Sequence, residues 1–367
     1  MRRGAKPTRF SARWPAASSP RHSHAGAERR SDRAGVRYNQ PVLDLGSLKT
    51  GVAAMLQERA RLPPGAAPSS YWSETCSAFD YMLGLPNEAF GKLRVHTYHL
   101  TGDNYQYYVF HQGEIRLWKT WQSLTAGLPT EYVLFEPEGT VQSMGFQTTD
   151  GRRVSHDILR FQEIVTTLYR ESALTRLPPR PMILEIGGGY GGLAHHLSRL
   201  TSPQTYIIVD LPETLLFSGA YLSLLNPDKR VTLYDANDPE HDLDGDFVLV
   251  PNYRLSLLKS RRFDMAFNIA SMQEMRTDQA EAYLAFIAET CRGMFYCHNL
   301  DRLPLNTELT SLVNLLHTYF DVTEIPRPAA RRRRLRATLK SIAALVGLAD
   351  REVATPPYRT FLCRPRK

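Results

Sequence analysis

The sequence predicts a doubly wound α/β fold, a mostly parallel seven-stranded sheet preceded by an N-terminal extension of mixed α/β or helical character. Three observations carry that prediction. Downstream of residue 181, short continuous apolar runs alternate with stretches of helical spacing, as in parallel strands covered on both faces by crossover helices. The first run, within "ILEIGGGYGGLAHHL" (Ile183 to Leu197), breaks into a turn with five glycines in six residues and then resumes helical spacing. The chain closes on two strand-like segments, which suits a sheet that finishes in an antiparallel strand.

Taken in order, the elements begin with a helix over 155–172, where Ile158, Phe161, Val165 and Leu168 share one face. "MILEI" (182–186) is a buried strand, and Leu193, Leu197 and Leu200 space out the helix after it. "TYIIVD" (205–210) is the next strand, followed by a helix over 213–225. "RVTLYD" (230–235) and "DFVLV" (246–250) are both strands, and either can stand third in the sheet. "FDMAFNI" (263–269), a helix around 277–290, "GMFYCHN" (293–299), "YFDVTEI" (319–325) and "YRTFLCR" (358–364) complete the pattern. A ligand is expected outside the carboxyl ends of the strands, where the strand order reverses.

Upstream, Pro and Gly clusters at 62–70 and 177–181 punctuate the chain. They divide it into a disordered basic leader (1–40), an accessory or substrate-recognition region (41–175) and a ligand-binding domain (176–367). The Tyr-dense stretch 98–112 reads as core or sheet surface, with a sugar-stacking platform as the sharper alternative.

Composition is that of a globular chain, 43% hydrophobic and 22% charged. The longest apolar run, 341–349, is far too short for a bilayer span, so a soluble, cytoplasmic protein is expected. The net charge of +8 sits entirely in residues 1–37, which hold ten basic residues against two acidic ones. A second basic island, 327–340, leaves the remaining body acidic, which argues against a folded face that grips nucleic acid. That island reads as a solvated helix, with membrane-surface contact as the lesser alternative. Cys76, Cys291, Cys297 and Cys363 form no CxxC pair and are expected to be reduced and buried. No metal is expected, although Asp235, Asp238, Asp242 and Asp244 lie close together in sequence. His195 and His196 read as surface or packing residues.

The glycine turn admits two readings. Gly187-x-Gly189-x-x-Gly192 fits the dinucleotide fingerprint, whereas Glu185-x-Gly187-x-Gly189-x-Gly191 fits a loop that holds S-adenosylmethionine. A carboxylate at Glu185 would repel a pyrophosphate, but S-adenosylmethionine carries no phosphate and ends in a cationic amino acid. Asp210, 25 residues after Glu185, is placed to accept both ribose hydroxyls in either case.

Read together, "LEIGGGYGG", "YIIVDLPETLLFSGAYLS" and "FDMAFNIASMQEM" resemble the class I S-adenosylmethionine-dependent methyltransferases. More narrowly they resemble the sugar O-methyltransferase family of bacterial polysaccharide and natural-product gene clusters, over about residues 150–367. The resemblance implies a Rossmann-like sheet, S-adenosylmethionine as cofactor, and methyl transfer to a hydroxyl of a sugar, a glycan or another small molecule. It places Glu185, Gly187, Gly188, Gly189 and Gly191 around the methionine and ribose side, Asp210 and Leu211 at the ribose, and Asn268 near the cofactor. Asn252 reaches the adenine edge if "DFVLV" stands third, and Asp235 or Asp238 does if "RVTLYD" stands there; the short distance from "DFVLV" to "FDMAFNI" favours Asn252. For the general base that a sugar hydroxyl needs, His298 is the first choice and Glu274 the second. A dinucleotide-dependent oxidoreductase and a non-catalytic binding protein remain open.

Overall fold

The computed structural model describes residues 43–103, 108, 115–138, 144–326 and 358–366. The basic leader, the basic island and most of the Tyr-dense stretch lie outside the described residues. The main sheet contains β1 (Met182–Ile186), β2 (Thr205–Asp210), β3 (Val231–Leu233), β4 (Phe247–Pro251), β5 (Phe263–Ile269), β6 (Cys291–Asn299), β7 (Phe320–Ile325) and β8 (Arg359–Pro365). Their order is β3-β4-β2-β1-β5-β6-β8-β7. Pairing is parallel from β3 through β6, and β8 runs antiparallel to both β6 and β7. The doubly wound class holds.

The described sheet has eight strands rather than the expected seven, because both candidates for the third position enter it. β4 pairs with β2, and β3 adds a three-residue edge beyond β4. Phe247 to Val250 are fully buried, as an interior strand requires, whereas Thr232 and Leu233 on the edge are only partly covered. Asn252 therefore follows directly on the strand beside β2.

The crossover helices cover the sheet as the spacing requires. They are α5 (Gly192–Thr201), α6 (Pro212–Leu225) and α7 (Thr277–Thr290), with α8 (Leu312–Tyr319) before β7. α6 is apolar on every face, and its outer side is covered by α1 (Leu45–Arg59). The crossing is possible because residue 219 is glycine; a Cβ there would lie 2.6 Å from Leu48 Cδ1. Leu48, Val52 and Met55 of α1 thus belong to the same core as β1 and β2. The boundary near residue 176 marks a change in element type, not a gap between two cores.

Upstream of β1 the regular elements among the described residues are helices, apart from a two-residue ladder of Phe146–Gln147 with Arg153–Val154. Its elements include α2 (Ser70–Ser77), α3 (Ile115–Thr125) and α4 (His156–Arg170). Ser155 caps α4 by accepting from the Ile158 amide, and Ile158, Phe161, Val165 and Leu168 are buried on one face as predicted. A buried ion cluster ties this region to the glycine turn. Arg94 lies 3.1 Å from Glu136 Oε1 and 2.9 Å from Asp157 Oδ2, with its guanidinium carbon 4.2 Å from the Tyr190 ring centroid. No helix among the described residues is long and apolar enough to cross a membrane.

Candidate active site

A cleft of about 1030 Å³, counting its open mouth, lies at the carboxyl ends of β1, β2 and β5. β1 pairs with β2 on one side and β5 on the other, so the strand order reverses at β1. That is where a doubly wound sheet leaves a crevice for a ligand. The floor is the glycine turn. Gly187 has φ +75°, and a Cβ there would collide with the Ser271 side chain; Gly189 has φ +58° and open space where a side chain would project. Both conformations favour glycine, and together they bring bare backbone to the cleft. Gly188 is closed off differently, since a Cβ would meet Ile208 Cγ2 at 2.7 Å.

Three carboxylates stand around the floor. Glu185, at the end of β1, is 3% exposed, and Tyr206 donates a 2.9 Å hydrogen bond to its Oε2. Burial pushes its carboxyl up to about 8, against the pull of that hydroxyl. Asp210 ends β2 and accepts from the Gly189 amide at 2.9 Å and the Leu211 amide at 2.7 Å. Burial carries it up to about 7 despite both amides. Glu274 follows β5 and accepts at Oε2 from the Trp72 indole N–H, 3.0 Å away. Burial also raises it to about 8, the Trp72 hydrogen bond opposing. Three such groups around one cleft destabilise each other's charged forms and favour a cation among them.

Asn252 lines the cleft beyond β4, and its buried Oδ1 has no hydrogen-bond partner among the described residues. The next residues are anchored by α1: the Tyr253 hydroxyl lies 2.9 Å from both Met55 O and Glu58 Oε2, sharing its one proton between them, and Arg254 pairs with Glu58. Asn252 thus offers a fixed, unused acceptor, which suits an amino group of a ligand.

Of the residues singled out from sequence, Glu185, Gly187, Gly188, Gly189, Asp210 and Leu211 line the cleft together, with Asn252 and Glu274. Three do not. Asn268 is fully buried, and its amide group is consumed within the protein: it donates to Ile186 O at 2.8 Å and accepts from the Met272 amide and Asn299 Nδ2. It clasps the ends of β1 and β5 instead of facing the cleft. Gly191 caps α5 with φ +83°, and a Cβ there would press on Leu222 of α6. His298, the first choice as base, is outside the lining. Its ring stacks on Tyr358 at 5.2 Å, and Nδ1 shares a 2.8 Å hydrogen bond with Thr360 Oγ1. The strand-end position was read correctly, but β8 pairs alongside β6 there and covers the ring.

Sequence reasoning missed Trp72, Asp157 and Arg160, which line the cleft from upstream. Asp157 and Arg160 were visible only as polar positions in the α4 spacing, and Trp72 followed a Pro/Gly cluster without periodicity. His195 and His196 are buried packing residues, as expected, and burial lowers the first to about 4. All four cysteines are buried and free. Among the described residues no group of three or more His, Cys, Asp or Glu converges as a metal site.

No family model matches the chain, and no curated protein matches it. Among solved structures, it is similar to an O-methyltransferase family protein from Burkholderia thailandensis (11% identity over 57% of this chain, TM-score 0.32). It is also similar to phosphoethanolamine N-methyltransferase 2 of Haemonchus contortus, in complex with phosphomonomethylethanolamine and S-adenosylhomocysteine (14% over 54%, TM-score 0.34). YjhP from E. coli is a third (15% over 54%, TM-score 0.33). The matched regions cover 59%, 52% and 91% of those chains, respectively.

Proposed function

We propose that the chain is an S-adenosylmethionine-dependent O-methyltransferase acting on a hydroxyl of a sugar or glycan. The observation that carries the reading is the trio Glu185, Asp210 and Glu274, the first buried and the other two half-buried around a glycine-built cleft, with each carboxyl raised above its ordinary range. A cationic ligand relieves that arrangement, whereas the pyrophosphate of a dinucleotide would add negative charge to it. The bare backbone at Gly187 and Gly189 and the unused Oδ1 of Asn252 fit an amino-acid-tailed nucleoside.

Bound there, S-adenosylmethionine supplies a methyl group on a sulfonium. The chain's own task is to align an acceptor oxygen, exclude water and remove a proton. Asp210, fixed by two backbone amides, is assigned to the ribose diol, and Asn252 to the adenine edge. Glu274 takes the acceptor proton at Oε1, Oε2 being held by Trp72. Its raised pKa makes it a stronger base than an exposed carboxylate once it is ionised, which it is above about pH 8. The sugar acceptor rests on the resemblance over residues 150–367, supported by the Trp72 ring beside that carboxylate.

Calorimetric titration with S-adenosylhomocysteine, NAD and NADP in parallel tests the cofactor. Heat from S-adenosylhomocysteine alone is expected; binding of a dinucleotide instead would overturn the reading. Methyl transfer to a panel of sugars, nucleotide sugars and polysaccharide fragments tests the acceptor.

A further inference from the structure

The cleft wall contributed by α4 carries one cationic group that the reading above leaves idle. Arg160 lines the cleft and is the single cationic side chain among the lining residues described. Its ion-pair partner is Asp157, with Nη1 3.7 Å from Oδ1, too far for a hydrogen bond. Asp157 is held more closely by Arg94, at 2.9 Å, and Arg94 also faces Glu136. The inner arginine is 1% exposed and the outer one 32%. One buried carboxylate is therefore shared by two guanidiniums, and the outer one makes no side-chain hydrogen bond among the described residues. Its charge reaches across the cleft: it draws the Glu274 carboxyl down and stands near the Tyr190 phenol. A half-exposed guanidinium at the cleft wall offers a planar fork of donors that matches a carboxylate or a phosphoryl group.

We propose that Arg160 is an anion anchor, receiving a carboxylate or phosphoryl group of a molecule bound in the cleft. Which molecule supplies the anion rests on the methyltransferase reading; the anchor itself does not. The source is either the amino-acid carboxylate of the cofactor or an acid group on the acceptor, such as a sugar acid or a sugar phosphate.

The test is calorimetry on wild type, Arg160→Gln and Arg160→Lys with four probes. S-adenosylhomocysteine carries the carboxylate, and 5′-methylthioadenosine is the same nucleoside without it. Glucuronate and inorganic phosphate, titrated into protein loaded with S-adenosylhomocysteine, report an acceptor anion. If the cofactor supplies the anion, Arg160→Gln weakens S-adenosylhomocysteine roughly 10- to 100-fold, leaves methylthioadenosine unchanged, and Arg160→Lys recovers part of the loss. If the acceptor supplies it, both nucleosides bind as before, and wild type alone binds glucuronate or phosphate. Equal affinity of wild type and Arg160→Gln for every probe overturns the anchor, as does an equal loss for the two nucleosides in a folded variant. Should Arg160→Gln fail to fold, Arg160→Lys is judged by the same nucleoside ratio. Failure of wild type to bind S-adenosylhomocysteine defeats the methyltransferase reading alone. The anchor is then decided by phosphate heat from the free protein: its presence in wild type and loss in Arg160→Gln supports it, and any other result overturns it.

Discussion

Trp72 and Glu274, 202 residues apart in the chain, meet through a 3.0 Å hydrogen bond from the indole N–H to Oε2. Helix α2 and the loop after β5 thereby form one wall of the cleft. Ser69 strengthens the contact by donating its hydroxyl to Glu274 O. The residue proposed to take the acceptor proton is thus held by the accessory region, not by the sheet alone.

Replacing Trp72 by Phe keeps a ring and removes the N–H. That hydrogen bond favours the ionised carboxylate, so its loss raises the Glu274 pKa further above about 8. A hydrogen bond to a charged group contributes about 1.5–3 kcal/mol, equivalent to roughly one to two pH units. The rising limb of the kcat/KM profile against pH should move upward by that amount. An unmoved limb would detach Glu274 from the pH dependence.

Glu274→Gln and His298→Ala separate the two candidates for the base. Glu274→Gln should lower kcat by about 100-fold or more while S-adenosylhomocysteine binds nearly as before. His298→Ala, whose ring stacks on Tyr358 and bonds Thr360 outside the cleft lining, should cost less than about tenfold. The reverse ranking in steady-state assays of both purified variants would restore His298 as the base.

Glu185 gives the ligand-free protein a defined pH response. Its folded-state pKa of about 8 lies above the ordinary value of 4.5, so the folded chain binds this proton more tightly than the unfolded chain. The stabilisation is fully present below about pH 4.5 and is lost as pH rises through about 8. The thermal midpoint should therefore fall between pH 5 and pH 8, and Glu185→Gln should lessen the fall. An equal slope in the variant would show that the carboxyl is solvated.

Arg94→Leu should be strongly destabilising. It leaves Glu136 and Asp157 buried without the guanidinium that faces both, and breaking a buried pair from one side costs about 3–5 kcal/mol. Urea unfolding measures the loss. Glu136→Gln in the same background should recover part of it by removing one stranded charge.

Much of the sheet was legible because its strands are buried on both faces. A continuous run such as "TYIIVD" admits few other structures, and β1, β2 and β5 begin and end at the predicted residues. The glycine turn and the two acids beside it were legible for a related reason: positive φ and bare backbone require glycine locally. The third strand was legible from spacing, since the short distance from "DFVLV" to "FDMAFNI" favoured that run, and pairing of β4 with β2 agrees.

The acceptor side of the cleft was not legible. Trp72, Asp157 and Arg160 come from α2 and α4, elements whose local patterns describe packing and say nothing of what their polar faces meet. His298 and Asn268 show the converse: both residue types suit chemistry at strand ends, yet partners from β8, β1 and β6 absorb them. The sequence by itself determined the strands, the turn and the acids that flank it, because backbone sterics and continuous burial act over neighbouring residues. Only the tertiary structure decided which polar side chains face the cleft, because hydrogen bonding and charge pairing are set by groups tens to hundreds of residues away.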